Sequence, residues 1–341
     1  MPRLPGARRH IDCKESNQVN PSKKETLFII GSPRSGTTWL QLLVAQHPDV
    51  ATNKETQLFT QYVSRLQERW AEELREAATG TTNGLSRIMS EDEFLHAVKG
   101  FCDRVLEKLS ADAPEARIVL EKSPEHALHA ETILKLYPEA WFLHIIRDPR
   151  AVSNSFRHAA GKWWTWAPSG PIETTRRWKR NVVAGRQIAE LTPRYREVRY
   201  EEISEGGTEV LEGIFAWLGL EANREFSEEA LAACDIDRLK VGALANQDQP
   251  WAVGREPEGF FRAGKQDGWK SELTARQVRL VEHEAEELML ELGYDPAQPT
   301  NRKKGTPHRV RAHRVVDWAQ RATRDLWHRV DWRLGRMRRK M

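Results

Sequence analysis

The run LFIIGSPRSGTTWLQLL, residues 27–43, decides how the rest of the chain is read. Its first residues, Leu27 to Ile30, have the length and β-branched content of a buried strand, and they stop at Gly31-Ser32-Pro33. A helical apolar pattern resumes at about Thr37. Between strand and helix, Gly31 and Gly36 permit backbone conformations that turn successive N–H groups inward, and the helix start adds its positive dipole end. Such a loop holds phosphate or sulfate; the plain alternative is a strand-to-helix turn with no ligand.

The cation in this loop is Arg34, and Gly36 is followed by Thr37 and Thr38. A nucleotide triphosphatase places a lysine directly after that glycine to hold the β- and γ-phosphates, with a hydroxyl for magnesium, so the loop argues against ATP with magnesium. The pattern Gly-x-Pro-Arg-Ser-Gly-Thr-Thr-x-Leu resembles the 5′-phosphosulfate loop of sulfotransferases that use 3′-phosphoadenosine 5′-phosphosulfate (PAPS) and release 3′-phosphoadenosine 5′-phosphate (PAP). Its motifs resemble most the glycan and tyrosylprotein types and the bacterial sulfotransferases. The resemblance implies that Ser32, Pro33, Arg34, Ser35, Gly36, Thr37 and Thr38 bind the cofactor, with no metal.

A second motif follows the apolar run 141–146. Arg147-Asp148-Pro149 opens a helix that carries Ser155 eight residues past the arginine, and it resembles the 3′-phosphate site of the same enzymes. A guanidinium pairs with phosphate through two parallel hydrogen bonds, and a hydroxyl two helical turns along adds a third. Arg34 and Arg147 stand 113 residues apart, each after a strand, where ligands collect in a parallel α/β sheet. A third element, residues 261–270, is similar to the loop that folds over the 3′-phosphate: Arg262 and Gly264 match, whereas Ala263 and the order Asp267-Gly268 depart from it. Tyr200, in a segment similar to Tyr-Glu-Asp-Leu, and Trp39 are the candidates for contact with adenine.

The catalytic residues also follow from the resemblance. Glu55, 21 residues beyond Arg34, stands where the glycan and tyrosylprotein types place the glutamate that takes the acceptor's proton. The run Glu121-Lys122-Ser123-Pro124 is similar to Glu-Lys-Thr-Pro, whose lysine lies beside the transferring sulfuryl group. The structural alternatives are a solvated loop glutamate at position 55 and an ion pair between Lys122 and a neighbouring carboxylate. Cytosolic sulfotransferases use a histidine base, which makes His126 and His158 the histidines to test. His126 and His129 are expected on a solvated helix face, His144 in the core, and His47 as the C-terminal cap of the first helix.

Elsewhere the sequence reads as scaffold. Strands are expected at 117–122, 141–146 and 195–200, a further strand running into a loop over 50–59, and helices at 59–78, 90–109, 172–191 and 273–292, the second opened by a Ser90/Glu93 capping box. The fold class is therefore a three-layer α/β/α domain with a mostly parallel central sheet and a P-loop-like phosphosulfate-binding loop, over residues 25–298. Residues 1–24 read as a flexible basic arm. The aromatic run 161–170 could stack on sugar faces, line an apolar acceptor pocket, or simply pack. The formal charge of +4 is uneven: 14 Lys/Arg against three Asp after residue 300 make that tail +11 and leave −7 for the rest. Within it, residues 309–341 place Trp318, Ala322, Leu326, Val330, Leu334 and Met337 on one basic helical face, which could lie on an anionic membrane, dock on a partner protein, or pack on the acidic body.

Three scattered cysteines support neither a disulfide framework nor a zinc site, and no run of 18 or more apolar residues exists. The expectation is a cytoplasmic protein, with a peripheral membrane contact through the tail and no nucleic-acid partner. Its reaction would be sulfuryl transfer to a hydroxyl acceptor, a glycan or glycolipid being favoured by the Trp run and the tail. Two readings from other classes stay open: a non-catalytic, membrane-docked module that binds PAP for regulation, and a P-loop nucleotide kinase.

Overall fold

The structure is a computed structural model that describes residues 24–80, 83–160, 168–240, 261 and 266–297. Residues 161–167, Arg262, Gly264, the arm up to residue 23 and the tail 299–341 lie outside the described residues.

Five parallel strands form the centre: β1 (Glu25–Gly31), β2 (Val50–Thr52), β3 (Ile118–Lys122), β4 (Trp141–Ile146) and β5 (Tyr195–Arg199), in the order β2-β3-β1-β4-β5. Parallel strands need crossovers, and helices supply them: α1 (Thr37–Val44) between β1 and β2, α2 (Ser64–Ala78) and α3 (Glu91–Leu109) before β3, and α4 (Ala130–Leu136) before β4. Next come α5 (Pro149–Ala159), α6 (Pro171–Gln187), α7 (Tyr200–Trp217), α8 (Arg224–Ala233), α9 (Ile236–Lys240), α10 (Gly268–Glu272) and α11 (Ala275–Glu291).

Alternation along the strands sorts the core into two layers. Leu27, Ile29, Ile118, Leu120, Leu143 and Ile145 pack with Leu40 and Leu43 of α1 and with Leu211, Ile214 and Phe215 of α7. On the other face, Phe28, Ile30, Val119 and Phe142 pack with Phe94, Val98 and Cys102 of α3 and with Ile133 of α4. Each such side chain, fully buried, contributes about 1.5–3 kcal/mol, so β1, buried on both faces, anchors the sheet. The three-layer α/β/α architecture expected from the sequence is the observed one.

Several boundaries differ. The segment 50–59, expected as a strand running into a loop, leaves the sheet after Thr52, whose hydroxyl donates to the Leu120 carbonyl, and enters a π-helical turn, Leu58–Val63, that the sequence reading did not foresee. That wider turn adds a residue to the helical repeat. Of the predicted apolar stripe, Phe59, Val63 and Trp70 are buried, whereas Leu66 and Leu74 are exposed. The first helix ends at Val44, and His47 caps the turn beyond it: its Nδ1 accepts the Asp49 N–H at 3.1 Å, and its Nε2 lies 3.2 Å from the Glu221 carbonyl. The Ser90/Glu93 capping box and β4 are as read from the sequence. Among the described residues no helix is long and apolar enough to cross a membrane.

Candidate active site

Strand register brings the motif residues to one edge. Ile29 of β1 lies opposite Lys122, Gly31 opposite Ile145, and Ile146 opposite Arg199, so the loop after β1, Lys122, Arg147 and Tyr200 all leave the carboxyl ends of neighbouring strands. The chain runs to β2 on one side of β1 and later to β4 on the other, which places the loop at the switch in strand order where α/β sheets bind ligands.

Local geometry shapes the loop. Ser32, Pro33 and Ser35 are buried, and the Ser35 N–H closes a turn on the Ser32 carbonyl at 3.1 Å. Gly36 caps α1 in the left-handed conformation (φ 96°), and a Cβ there would stand 2.5 Å from the Tyr200 ring. Arg34 also adopts positive φ (73°), a strained conformation for a non-glycine residue. Its Nε donates to Ser155 Oγ at 3.0 Å, joining the two motifs across 121 residues. Thr37 is buried and Thr38 half-buried in the first turn of α1, which has no acidic residue and no side-chain cap among the described residues. The buried Ser35 hydroxyl likewise has no partner among them. A cradle of N–H groups, an unsatisfied hydroxyl and a guanidinium suits a dianion.

Around Arg147 the contacts are equally specific. Its guanidinium carbon sits 3.9 Å from the centre of the Tyr200 ring, and its carbonyl accepts the Trp178 indole N–H at 2.9 Å. Asp148 caps α5, accepts three bonds from the Arg150 side chain, and gives its own N–H to Glu201 Oε1 at 3.0 Å. Burial pushes the Glu201 carboxyl up, against the Asp148 N–H and the Tyr294 hydroxyl that hold its charged form. Arg150, which the sequence reading missed, also binds Glu282 at 2.7 Å and stacks on Trp269, tying the motif to α10 and α11. Both adenine candidates are buried. Trp39 packs 5.1 Å from the Tyr200 ring and donates its indole N–H to the Cys234 carbonyl at 2.9 Å.

On the opposite side of the loop, Lys122 Nζ lies 2.6 Å from Glu55 Oε2, with side-chain exposures of 5% and 32%. The ion pair foreseen as the bland alternative for Lys122 is thus made with the other catalytic candidate. His126 corrects the expectation of a solvated face: it is fully buried, its Nε2 accepts the Phe59 N–H at 3.0 Å and its Nδ1 is 2.8 Å from Glu121 Oε2. Neither ring nitrogen is left to deprotonate an acceptor. His158, at the end of α5, instead lies 2.7 Å from Glu272. Burial opposes ionisation of Glu121, but His126 and the hydroxyls of Thr56 and Ser123 outweigh it and hold its pKa at about 2. Its one signal in the sequence was a carboxylate inside the apolar strand run IVLEK.

The model of the sulfotransferase family matches residues 26–224, and the chain belongs to that family. It is 33% identical over 132 residues to a putative protein-tyrosine sulfotransferase of Caenorhabditis briggsae (39% of this chain, 42% of that protein). It is 29% identical over 129 residues to the protein-tyrosine sulfotransferase of Drosophila melanogaster (38% and 24%), so it spans less than half the length of either relative. Nodulation protein NoeE of Sinorhizobium fredii is 24% identical over 331 residues, covering 88% of this chain and 73% of its own. The solved structure of mouse sulfotransferase SULT7A1, complexed with PAP, superposes with a TM-score of 0.53 at 14% identity, over 79% of this chain and 86% of that one, and so shares the fold.

Proposed function

We propose that this protein transfers a sulfuryl group from PAPS to a hydroxyl acceptor, a glycan, glycolipid or other alcohol, by in-line displacement with Glu55 as base. The observation that carries the reading is the Glu55–Lys122 pair, 2.6 Å apart, on the strand edge that also bears the anion loop. The residues fit the cofactor: the loop offers a cradle with an unsatisfied Ser35 hydroxyl, and Arg147 with Ser155 offers a second anion site joined to it through Arg34.

The loop N–H groups, Thr37 and Thr38 would hold the 5′-phosphate, while Arg147, Ser155 and, outside the described residues, Arg262 would hold the 3′-phosphate. Glu55 would accept the proton of the acceptor hydroxyl, and PAPS, when bound, would supply the sulfuryl group to that oxygen and leave as PAP. Arg34 and Lys122 would neutralise the charge that develops on the oxygen bridging sulfur and phosphate; preorganised cations act strongly where water is excluded.

The test is incubation with radiolabelled PAPS and a panel of hydroxyl acceptors: an oligosaccharide, a glycolipid, a tyrosyl peptide and a phenol. Label should reach at least one of them with the wild type, and about 10²–10⁴-fold more slowly with Glu55→Gln. Tight binding of PAP with transfer to no acceptor would support the non-catalytic nucleotide-binding alternative.

A further inference from the structure

A helix start leaves its first N–H groups without intrahelical partners. Gln57, which precedes the π-helical turn, adopts a left-handed conformation (φ 55°), and its side chain caps nothing there among the described residues. Yet four consecutive N–H groups are all satisfied, and the end of β3 together with the turn that follows it supplies three of the four acceptors. Thr56 N–H reaches Glu121 Oε1 at 3.3 Å, Gln57 N–H reaches Ser123 Oγ at 3.0 Å, Leu58 N–H reaches Thr56 Oγ1 at 3.1 Å, and Phe59 N–H reaches His126 Nε2 at 3.0 Å. These acceptors are bound to one another. Thr56 Oγ1 and Ser123 Oγ both donate to Glu121 Oε1, at 2.6 and 2.7 Å, and His126 Nδ1 faces Glu121 Oε2 at 2.8 Å.

Glu121 and His126 have no exposed side-chain area. A carboxylate taken so fully out of water is costly unless paired and hydrogen-bonded, and a helix N-terminus is a favourable place for it. Because the Phe59 N–H occupies Nε2, the neutral ring carries its proton on Nδ1, towards Glu121. Glu121 Oε1, Ser123 Oγ, Thr56 Oγ1 and His126 Nε2 each accept one N–H of the backbone that immediately follows Glu55. The next residue of β3, Lys122, meets the Glu55 carboxylate itself.

We propose that Glu121, with Ser123, His126 and Thr56, is a remote helix cap that positions the base: it fixes the backbone of residues 56–59 so that Glu55 stands at Lys122. The inference rests on the reading of Glu55 as base. Glu121 is a positioning residue, touching no substrate.

Thr56→Val is nearly isosteric at a half-buried site and removes both the donor to Glu121 and the acceptor for Leu58. It should lower kcat by about 10²-fold, the usual cost of misplacing a reacting group by about 1 Å, with PAP affinity and KM for PAPS changed less than about twofold. Thr56→Ser keeps the hydroxyl and should restore most of kcat. Glu121→Gln should act in the same direction, since its amide would oppose the Nδ1 proton of His126. Turnover is read with labelled PAPS and whichever of a phenol, a tyrosyl peptide and an oligosaccharide the wild type uses. Crystal structures of both variants read the Lys122–Glu55 separation, which should lengthen beyond about 4 Å, the limit of an ion pair. Should Glu121→Gln fail to fold, Thr56→Val carries the test. The pair remaining in contact in the variant structures, or kcat and PAPS KM falling in parallel with no rescue by Thr56→Ser, would overturn the cap. A wild type that neither binds PAP nor transfers sulfuryl would instead refute the sulfotransferase reading, and the separation would still decide the cap.

Discussion

The loop after β1 is shaped by its own backbone, whereas the turn after β2 is held by side chains 65 to 67 residues further along the chain. The first needs glycine at a fixed place and a helix start immediately after; the second needs a carboxylate, a hydroxyl and an imidazole delivered by another strand. An anion cradle asks only for convergent N–H groups, which a short peptide can provide. A base must stand within hydrogen-bond reach of one proton, and a short loop at the end of an edge strand cannot ensure that alone.

The largest expected effect separates the two regions by function. Glu55→Gln should lower turnover by about 10²–10⁴-fold, the usual contribution of a general base, while PAP affinity measured by calorimetry stays within about twofold. Loss of PAP binding in that variant would mean that the two sides are not separable.

Gly36→Ala attacks the opposite side. Its Cβ would meet the Tyr200 ring at 2.5 Å on a backbone at φ 96°. Strain of about 1–3 kcal/mol, if expressed at the cradle, should weaken PAP binding by about 5- to 150-fold, and the same titration measures it. Unchanged affinity would show that the loop tolerates the displacement of Tyr200.

Acid sharpens the comparison further. Burial opposes ionisation of Glu121, but His126 and the hydroxyls of Thr56 and Ser123 hold its pKa below the ordinary carboxylate range, which favours its charged form in mild acid. Burial holds the pKa of His144 down at about 3, with Arg186 adding to the effect, and burial together with His126 lowers that of His129 to about 4. Below the ordinary histidine pKa of about 6.5 the unfolded chain takes up protons that these two sites refuse. Stability is therefore full above about pH 6.5 and lost as pH falls towards 4, with a slope on the order of 1 kcal/mol per pH unit for each histidine. Denaturant unfolding between pH 7 and 4.5 should show this, and His144→Asn should flatten it; an unchanged slope in that variant would remove His144 from the account.

The smallest effect concerns the link between the phosphate motifs. Ser155→Ala deletes the acceptor for Arg34 Nε and should cost about 0.5–1.5 kcal/mol of PAP affinity. A loss comparable to that of Gly36→Ala would make Ser155 a principal ligand.

What the sequence disclosed follows the same division. The strand, loop and first helix around Gly36, the Arg147 motif and β4 were legible because each is written in consecutive residues: an apolar run, a glycine or proline, a helical repeat. The early departure of β2 at Thr52, the wide turn at Leu58 and the burial of His126 were not, because each depends on partners delivered by β3. His126 and His129 show the spacing of one helical face, and only the fold reveals that the first of these points into the core against Glu121. Glu121 went unremarked in the sequence reading; a carboxylate inside the apolar strand run IVLEK was the one signal that could have drawn attention to it, and its target had no signature in the order of residues.

The central claim is that the edge formed by β1, β3 and β4 binds PAP. Calorimetric titration of the purified protein with PAP, with Arg147→Ala in parallel and ATP plus magnesium as control, tests it most directly. Tight binding by the wild type, lost in Arg147→Ala and absent with ATP, is the predicted result; no binding of PAP, or a preference for ATP with magnesium, would contradict it.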